Sequence, residues 1–92
     1  MEPKPYKATP IFDADSLPAA IRSAHNTKQG VWGLLRVIEG VVDLVFHDPP
    51  AVIRVTPDHP ASIPPEAVHH VEPAGPMRMQ VEFYRELPLP HS

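Results

Sequence analysis

The sequence predicts a small all-β domain with one short helical segment near its N-terminus. Three observations predict it. Fourteen of the 92 residues are proline, against a usual share of roughly 5%. Apolar residues recur mostly with a period of two, which is the spacing of a half-buried strand. Turn residues cluster at close intervals between the apolar runs, as in a sandwich or barrel.

Each proline fixes φ and removes a backbone donor, so long helices are excluded. Pro49-Pro50, Pro57 and Pro60, Pro64-Pro65, and Pro73 and Pro76 divide the chain into short pieces. Disorder is the competing reading of such a composition, and the apolar runs between the breaks argue against it. Residues 1–5 and 87–92 are proline-rich and short of core residues. They read as flexible tails around a single domain over residues 6–86.

The one helix is expected over Ser16–Ala24. Ser16 could cap it, Pro18 fits the first turn, and Ala19, Ala20 and Ile21 form helix. Val31 to Ile38 is apolar on both faces apart from Arg36. Such a strand is covered on both sides, by a second sheet or by a partner chain. Glu39-Gly40 then has the two-residue spacing of a hairpin. Val42, Leu44 and Phe46 alternate with Asp43 and His47, a half-buried strand. Asp48-Pro49-Pro50 breaks the chain before a short strand, Val52–Val55. Thr56 to Pro60 and Ile63 to Glu66 are turn clusters, and the second leads into Val68–Val71. Glu72 to Pro76 connects to the cleanest strand, where Met77, Met79, Val81 and Phe83 alternate with Arg78, Gln80, Glu82 and Tyr84.

Composition excludes several functions. Apolar residues make up 42% and charged residues 21%, which is globular. The net charge of −3 and the lack of a basic stripe argue against a nucleic-acid partner. There is no cysteine, which removes disulfide scaffolds, thiolate catalysis and cysteine-based zinc sites. No apolar leader opens the chain and no apolar run could span a bilayer. A cytoplasmic protein without a membrane partner is expected.

The chemistry concentrates in His25-Asn26-Thr27-Lys28-Gln29-Gly30-Val31-Trp32-Gly33. Imidazole, hydroxyl and ammonium fall within four residues, and two glycines bracket the only tryptophan. Neutral imidazole is the commonest metal ligand, and without cysteine any transition-metal site must use His with Asp or Glu. The six histidines match no helical motif such as H-E-x-x-H. A site would therefore be assembled from separate strands.

Alternation sends His69 and His70 to opposite faces, without choosing between them. His47 reads as solvated and His91 as part of a tail. Lys28 binds an anionic ligand or is a solvated loop lysine. Trp32 packs in the core or at an interface, or walls a pocket. Glu82 lies on a polar row that is solvated or lines a pocket. Gly30 and Gly33 allow a tight turn or a close approach.

Asp58-His59, Pro64-Pro65-Glu66 and His69 form an ordered pattern that resembles the second motif of the cupins. Asp58 and Glu66 stand at that motif's two glycines, while Pro64 and His69 match. The run from His25 to Gly33 joins it in order, with Thr9-Pro10-Ile11-Phe12, Ser16-Leu17-Pro18, Val37 to Gly40 and Val81 to Tyr84. Together they are similar to the small cupin domain of the tellurite-resistance TehB N-terminal/YeaR-like family, over about residues 6 to 86.

The resemblance implies a cupin-type β-barrel, jelly-roll-like, with a His-lined pocket. It implies His25 and His69 as ligands of a divalent transition metal such as Zn, Fe, Ni or Mn, unless the metal has been lost. Two such ligands require imidazoles within about 4 Å. His59, Lys28, Thr27, Trp32 and Glu82 are the further pocket candidates. Thr27 stands where the first cupin motif has a second histidine, and Trp32 lies near its glutamate.

Family members occur alone or ahead of a methyltransferase domain, and a chain of this length is expected to be the stand-alone form. The functional expectation is a metal-binding stress-response module for tellurite or another oxyanion, or for a small molecule. The alternatives are a metal-dependent oxygenase, isomerase or hydrolase, and a metal-free homodimeric interaction domain.

Overall fold

The structure is a computed structural model that describes residues 4–88. The outer parts of the expected tails, residues 1–3 and 89–92, lie outside the described residues. The elements in order are β1 (Lys7–Ala8), β2 (Phe12–Asp13), α1 (Ala19–Arg22), β3 (His25–Asn26) and β4 (Trp32–Glu39). Then follow β5 (Val42–His47), β6 (Pro50–Val55), β7 (Ala61–Ile63), β8 (Val68–Pro73) and β9 (Arg78–Tyr84).

The strands form two antiparallel sheets. One has the order β1-β9-β4-β7, with β2 also paired to β9, and the other has the order β3-β8-β5-β6. The all-β class is as expected. The barrel is not: among the described residues no strand ladder joins the two sheets, so they face each other without closing.

The period of two decides which side chains meet between the sheets. Val42 and Leu44 of β5 are fully buried, as is Met79 of β9, and Val71 of β8 is nearly so. Leu35 and Val37 of β4 and Ile63 of β7 join the same core from the sheet that holds β9. Burying each such aliphatic side chain stabilises the fold by roughly 1.5–3 kcal/mol.

The strand that is apolar on both faces has an explanation within one chain. β4 lies between β9 and β7. Leu35 faces the shared core, whereas Leu34, only 2% exposed, is buried outside that cluster. Tyr84 and Pro88 are also buried and also lie outside it. Composition had placed Pro88 in a tail. At Leu34 the outer face of β4 is thus covered within one chain, whereas Ile38 on the same strand is 43% exposed.

Two local expectations are corrected. Glu39-Gly40 is not a hairpin, because β4 and β5 belong to different sheets. It is a corner, and Gly40 turns it at φ +82°. A Cβ on Gly40 would sit 2.5 Å from the Pro76 carbonyl oxygen. A two-residue spacing cannot tell a hairpin from such a corner. The tight hairpin joins β5 to β6 through Asp48-Pro49 instead, with His47 opposite Pro50.

The helix is also shorter than expected, Ala19–Arg22, and its N-cap is Pro18 without a side-chain cap bond. Ser16 is used elsewhere: its Oγ accepts the Asp13 N–H at 2.8 Å. The Asp13 carboxylate in turn accepts the N–H groups of Asp15 and Ser16. Among the described residues no helix is long and apolar enough to cross a membrane.

Candidate functional site

A cavity of about 280 Å³ lies between the sheets. Its apolar lining comes from both sides: Val81 and Phe83 of β9, Ile63 of β7, Val71 of β8, and Val31 and Ile21. His25 and His69 form its principal polar feature, with Thr27, Asn26 and Lys28 beside them. Exposed Tyr6 and Lys7 mark its outer side.

Register brings the two histidines together. β3 pairs with β8 so that His25 stands opposite His69. Their ring centroids are 4.1 Å apart and the rings are tilted by 57°. On the far side of His69, β5 places Phe46 in the same cross-strand row, with its ring centroid 6.2 Å away. Strand alternation then assigns the faces: His69 is 2% exposed and points inward, while His70 points outward.

Each imidazole is anchored through Nδ1. The His25 Nδ1 lies 3.0 Å from the Ser23 carbonyl oxygen, and the His69 Nδ1 lies 2.8 Å from that of Ala67. A carbonyl only accepts, so both Nδ1 atoms carry the proton. In a neutral imidazole the other nitrogen is then an acceptor. Burial pushes the His69 imidazole below its ordinary pKa, the Ala67 hydrogen bond opposes this, and His25 nearby adds to the depression.

The Pro64-Pro65-Glu66 turn holds the loop that carries His25. The Thr27 hydroxyl, 8% exposed as a residue, donates to the Pro64 carbonyl oxygen at 2.5 Å. The Glu66 N–H donates to the Thr27 carbonyl oxygen at 3.1 Å. Glu66 itself adopts φ 62°, the left-handed region that favours glycine. The family pattern that placed a glycine here was therefore reading a backbone requirement.

The structure thus brings together His25, His69, Thr27 and Lys28. It does not bring the other candidates to the cavity. Trp32 is half-buried opposite Tyr84 and is absent from the cavity wall. His59 is exposed in the Thr56–His59 turn. The Glu82 carboxylate accepts from Arg36 Nε at 2.6 Å and from the Tyr84 hydroxyl at 2.9 Å.

Sequence reasoning missed two features. One is the apolar cavity wall, for which the inward alternation of Val81 and Phe83 was the available signal. The other is an outward hydrogen-bonded row, in which His47 Nε2 lies 2.7 Å from His70 Nδ1 and His70 Nε2 lies 2.5 Å from Glu72 Oε2. No local signal announces it, because the row depends on the β5–β8 register.

Fold and site together define a small two-sheet β domain with a ligand-sized, histidine-floored cavity. The TehB-like domain family matches residues 7–81, and the chain belongs to that family.

Its relatives include the probable S-adenosyl-L-methionine-dependent methyltransferase TehB of Haemophilus influenzae strain 10810. That protein is 38% identical over 72 residues, covering 73% of this chain and 25% of the relative. The protein of the same description from strain ATCC 51907 / DSM 11121 / KW20 / Rd is 38% identical over 74 residues, with the same coverage. The chain thus spans a quarter of the length of these curated relatives.

Two solved structures share the fold. TehB from Haemophilus influenzae superposes with a TM-score of 0.80 at 31% identity, over 90% of this chain and 31% of that one. A protein from Escherichia coli strain K12 superposes with a TM-score of 0.82 at 25% identity, over 90% of both chains.

These findings correct the reading of the domain as a metal-binding cupin module for stress response. The relatives are named as S-adenosylmethionine-dependent methyltransferases, and the family matched is the TehB-like domain. The expected Zn, Fe, Ni or Mn cofactor is corrected with it. Among the described residues no group of three or more His, Asp or Glu side chains could hold a metal ion. His25 and His69 meet as expected, but the cavity wall brings no carboxylate to complete a ligand set.

Proposed function

We propose that this domain serves S-adenosylmethionine-dependent methyl transfer as a binding module for the small molecule to be methylated. One observation carries the reading: the stretch that matches the TehB-like family, residues 7–81, contains both histidines and all of the cavity's lining except Tyr6 and Phe83. The named relatives extend well beyond the region shared with this chain.

The cofactor implied by those names does not fit this cavity. S-adenosylmethionine carries a sulfonium and an ammonium, and the lining offers two lysines and no carboxylate to meet them. The volume of about 280 Å³ also falls below the ~300–1,000 Å³ usual for sites that enclose a drug-sized ligand. A second hollow, lined by Asp13, Asp15, Glu39 and Arg78, has acidic groups. Its apolar wall is limited to Ala14, Pro76 and Met77 with Gly40, which gives an adenine ring no slot. The cavity suits a smaller, mostly apolar molecule. A cytoplasmic setting accords with this role, since a chain without cysteine suits a reducing compartment.

The test is a chimera in which this chain replaces the matching quarter of the Haemophilus influenzae relative. His69→Phe in the chimera is expected to raise KM for the acceptor and leave KM for S-adenosylmethionine unchanged. Unchanged acceptor kinetics, or an effect confined to the cofactor, would sink the proposal. In equilibrium dialysis the chain alone is expected not to retain S-adenosylmethionine.

A further inference from the structure

Two cations line the cavity where its apolar walls meet solvent. Lys7 belongs to β1 and Lys28 to the loop between β3 and β4, and both are exposed residues of the cavity wall. β1 and β3 are edge strands of the two different sheets, so one lysine comes from each sheet's edge.

Register places Lys7 on the inner face of its strand. It stands opposite Phe83 of β9, cross-strand partners share a face, and Phe83 is a wall residue. Lys28 is held through its backbone. The Thr27 carbonyl before it accepts the Glu66 N–H at 3.1 Å, and its own carbonyl accepts the Val31 N–H at 3.1 Å.

Neither lysine forms an ion pair among the described residues, and no carboxylate lines the cavity. Glu66, bonded to the Thr27 loop, is exposed and lies off the wall. The chain carries a net charge of −3, so the cavity bears the sign opposite to the whole. Charges of one sign beside low-dielectric walls focus their field on what enters a cleft. Arg85 adds a third cation beside this wall, its Cζ 4.4 Å from the ring centroid of the wall residue Tyr6.

We propose that the cavity takes an amphiphilic anion, with a small apolar body between the sheets and a carboxylate head at the rim against the Lys7 and Lys28 ammonium groups. The inference deepens the reading of this cavity as the acceptor site and rests on it. A bare inorganic anion would leave Val31, Val81 and Phe83 without an apolar partner. A neutral apolar molecule would leave both lysines unpaired. The head stays on the solvent side, open to a methyl donor held outside the cavity.

Benzoate and benzamide share an outline and differ in charge. Binding of each to the intact chain is followed by amide shifts of Ile63 and Val81, at about pH 8, where ordinary lysines are cationic and ordinary imidazoles neutral. Benzoate is expected to bind roughly tenfold more tightly at low salt, the combined effect of two exposed ion pairs. Added salt should shrink the ratio by screening. Lys7→Met and Lys28→Met keep an apolar stem and remove the charge. Each should lower the ratio to roughly threefold and leave benzamide binding unchanged, while Lys→Arg at either position should preserve the ratio.

A ratio below about twofold in the unaltered chain, a ratio that neither methionine variant lowers, or acetate binding as tightly as benzoate would overturn the inference. So would a Lys7→Met variant that only raises self-association, because an inward lysine on an edge strand then serves to block pairing. Equal binding of benzoate and benzamide leaves the acceptor-site reading standing and removes only the charge selectivity. Binding of neither removes both.

Discussion

Thr27 and His69 show how single side chains set this cavity. Thr27 occupies the place of a histidine in the cupin pattern, and here its hydroxyl ties the His25 loop to the Pro64 turn. Thr27→Val is expected to destabilise the fold by about 1 kcal/mol, the net worth of one hydrogen bond, since the Pro64 carbonyl still accepts the Ala67 N–H at 3.3 Å. Urea unfolding measures it, and Thr27→Ser should recover most of the loss.

His69 sets a pH dependence. Burial holds its folded pKa below the ordinary 6.5, so below that value the unfolded chain binds the proton more readily than the folded one. The stability contributed by this neutral imidazole is therefore full above pH 6.5 and is lost as pH falls below it. Unfolding curves between pH 8 and pH 5 should show the decline, and His69→Phe should remove the His69 part of the slope. Equal slopes in the two proteins would contradict it.

The histidine pair was legible at this scale only as candidates. Alternation separated His69 from His70 but could not say which faced inward. The β3–β8 register decides that, and it lies outside any local pattern.

At the scale of elements, turns matter more than strand lengths. Gly40 carries the chain from β4 in one sheet to β5 in the other. Gly40→Ala is expected to cost more than about 1 kcal/mol, because L-residues disfavour φ > 0 and the added Cβ would meet the Pro76 carbonyl at 2.5 Å. Glu66 poses the opposite case. Its φ of 62° suits glycine, so Glu66→Gly is expected to be neutral or stabilising by up to about 1 kcal/mol. Thermal unfolding of both variants tests the pair.

On β9, Glu82 bonds Arg36 and Tyr84. Glu82→Gln should cost at most about 1 kcal/mol, as exposed ion pairs do, a difference that urea unfolding measures. Strands were the most legible elements, since β5 and β9 show clean alternation. The two-residue strands β1, β2 and β3 carry no period and are set by their partners. The helix was overextended because Ser16, a good cap by type, bonds the Asp13 N–H instead.

At the scale of the whole molecule, two antiparallel sheets enclose one core and leave a cavity between them near β3. Both sheets are needed for that cavity, since its wall draws on β7 and β9 from one and on β3 and β8 from the other. The edge strand β6 stands apart from it: Val52 is 64% exposed and Ile53 41%. An exposed apolar edge is prone to pair with other chains. Val52→Lys is therefore expected to lower self-association at high concentration, as sedimentation would show.

By itself the sequence determined the β class, the short N-terminal helix, the inward faces of the long strands and the kinship that places a histidine at positions 25 and 69. These follow from local period, from proline's missing donor and from the order of short motifs. Only the tertiary structure decided that the sheets stay open, that Leu34 of β4 is buried within one chain, and that the Nδ1 protons of both histidines are already committed. Those outcomes depend on register and on contacts between residues far apart in the chain, and periodicity contains no information about either. A histidine pair that family resemblance suggested as a metal site is, in three dimensions, a cross-strand pair on the wall of a largely apolar cavity.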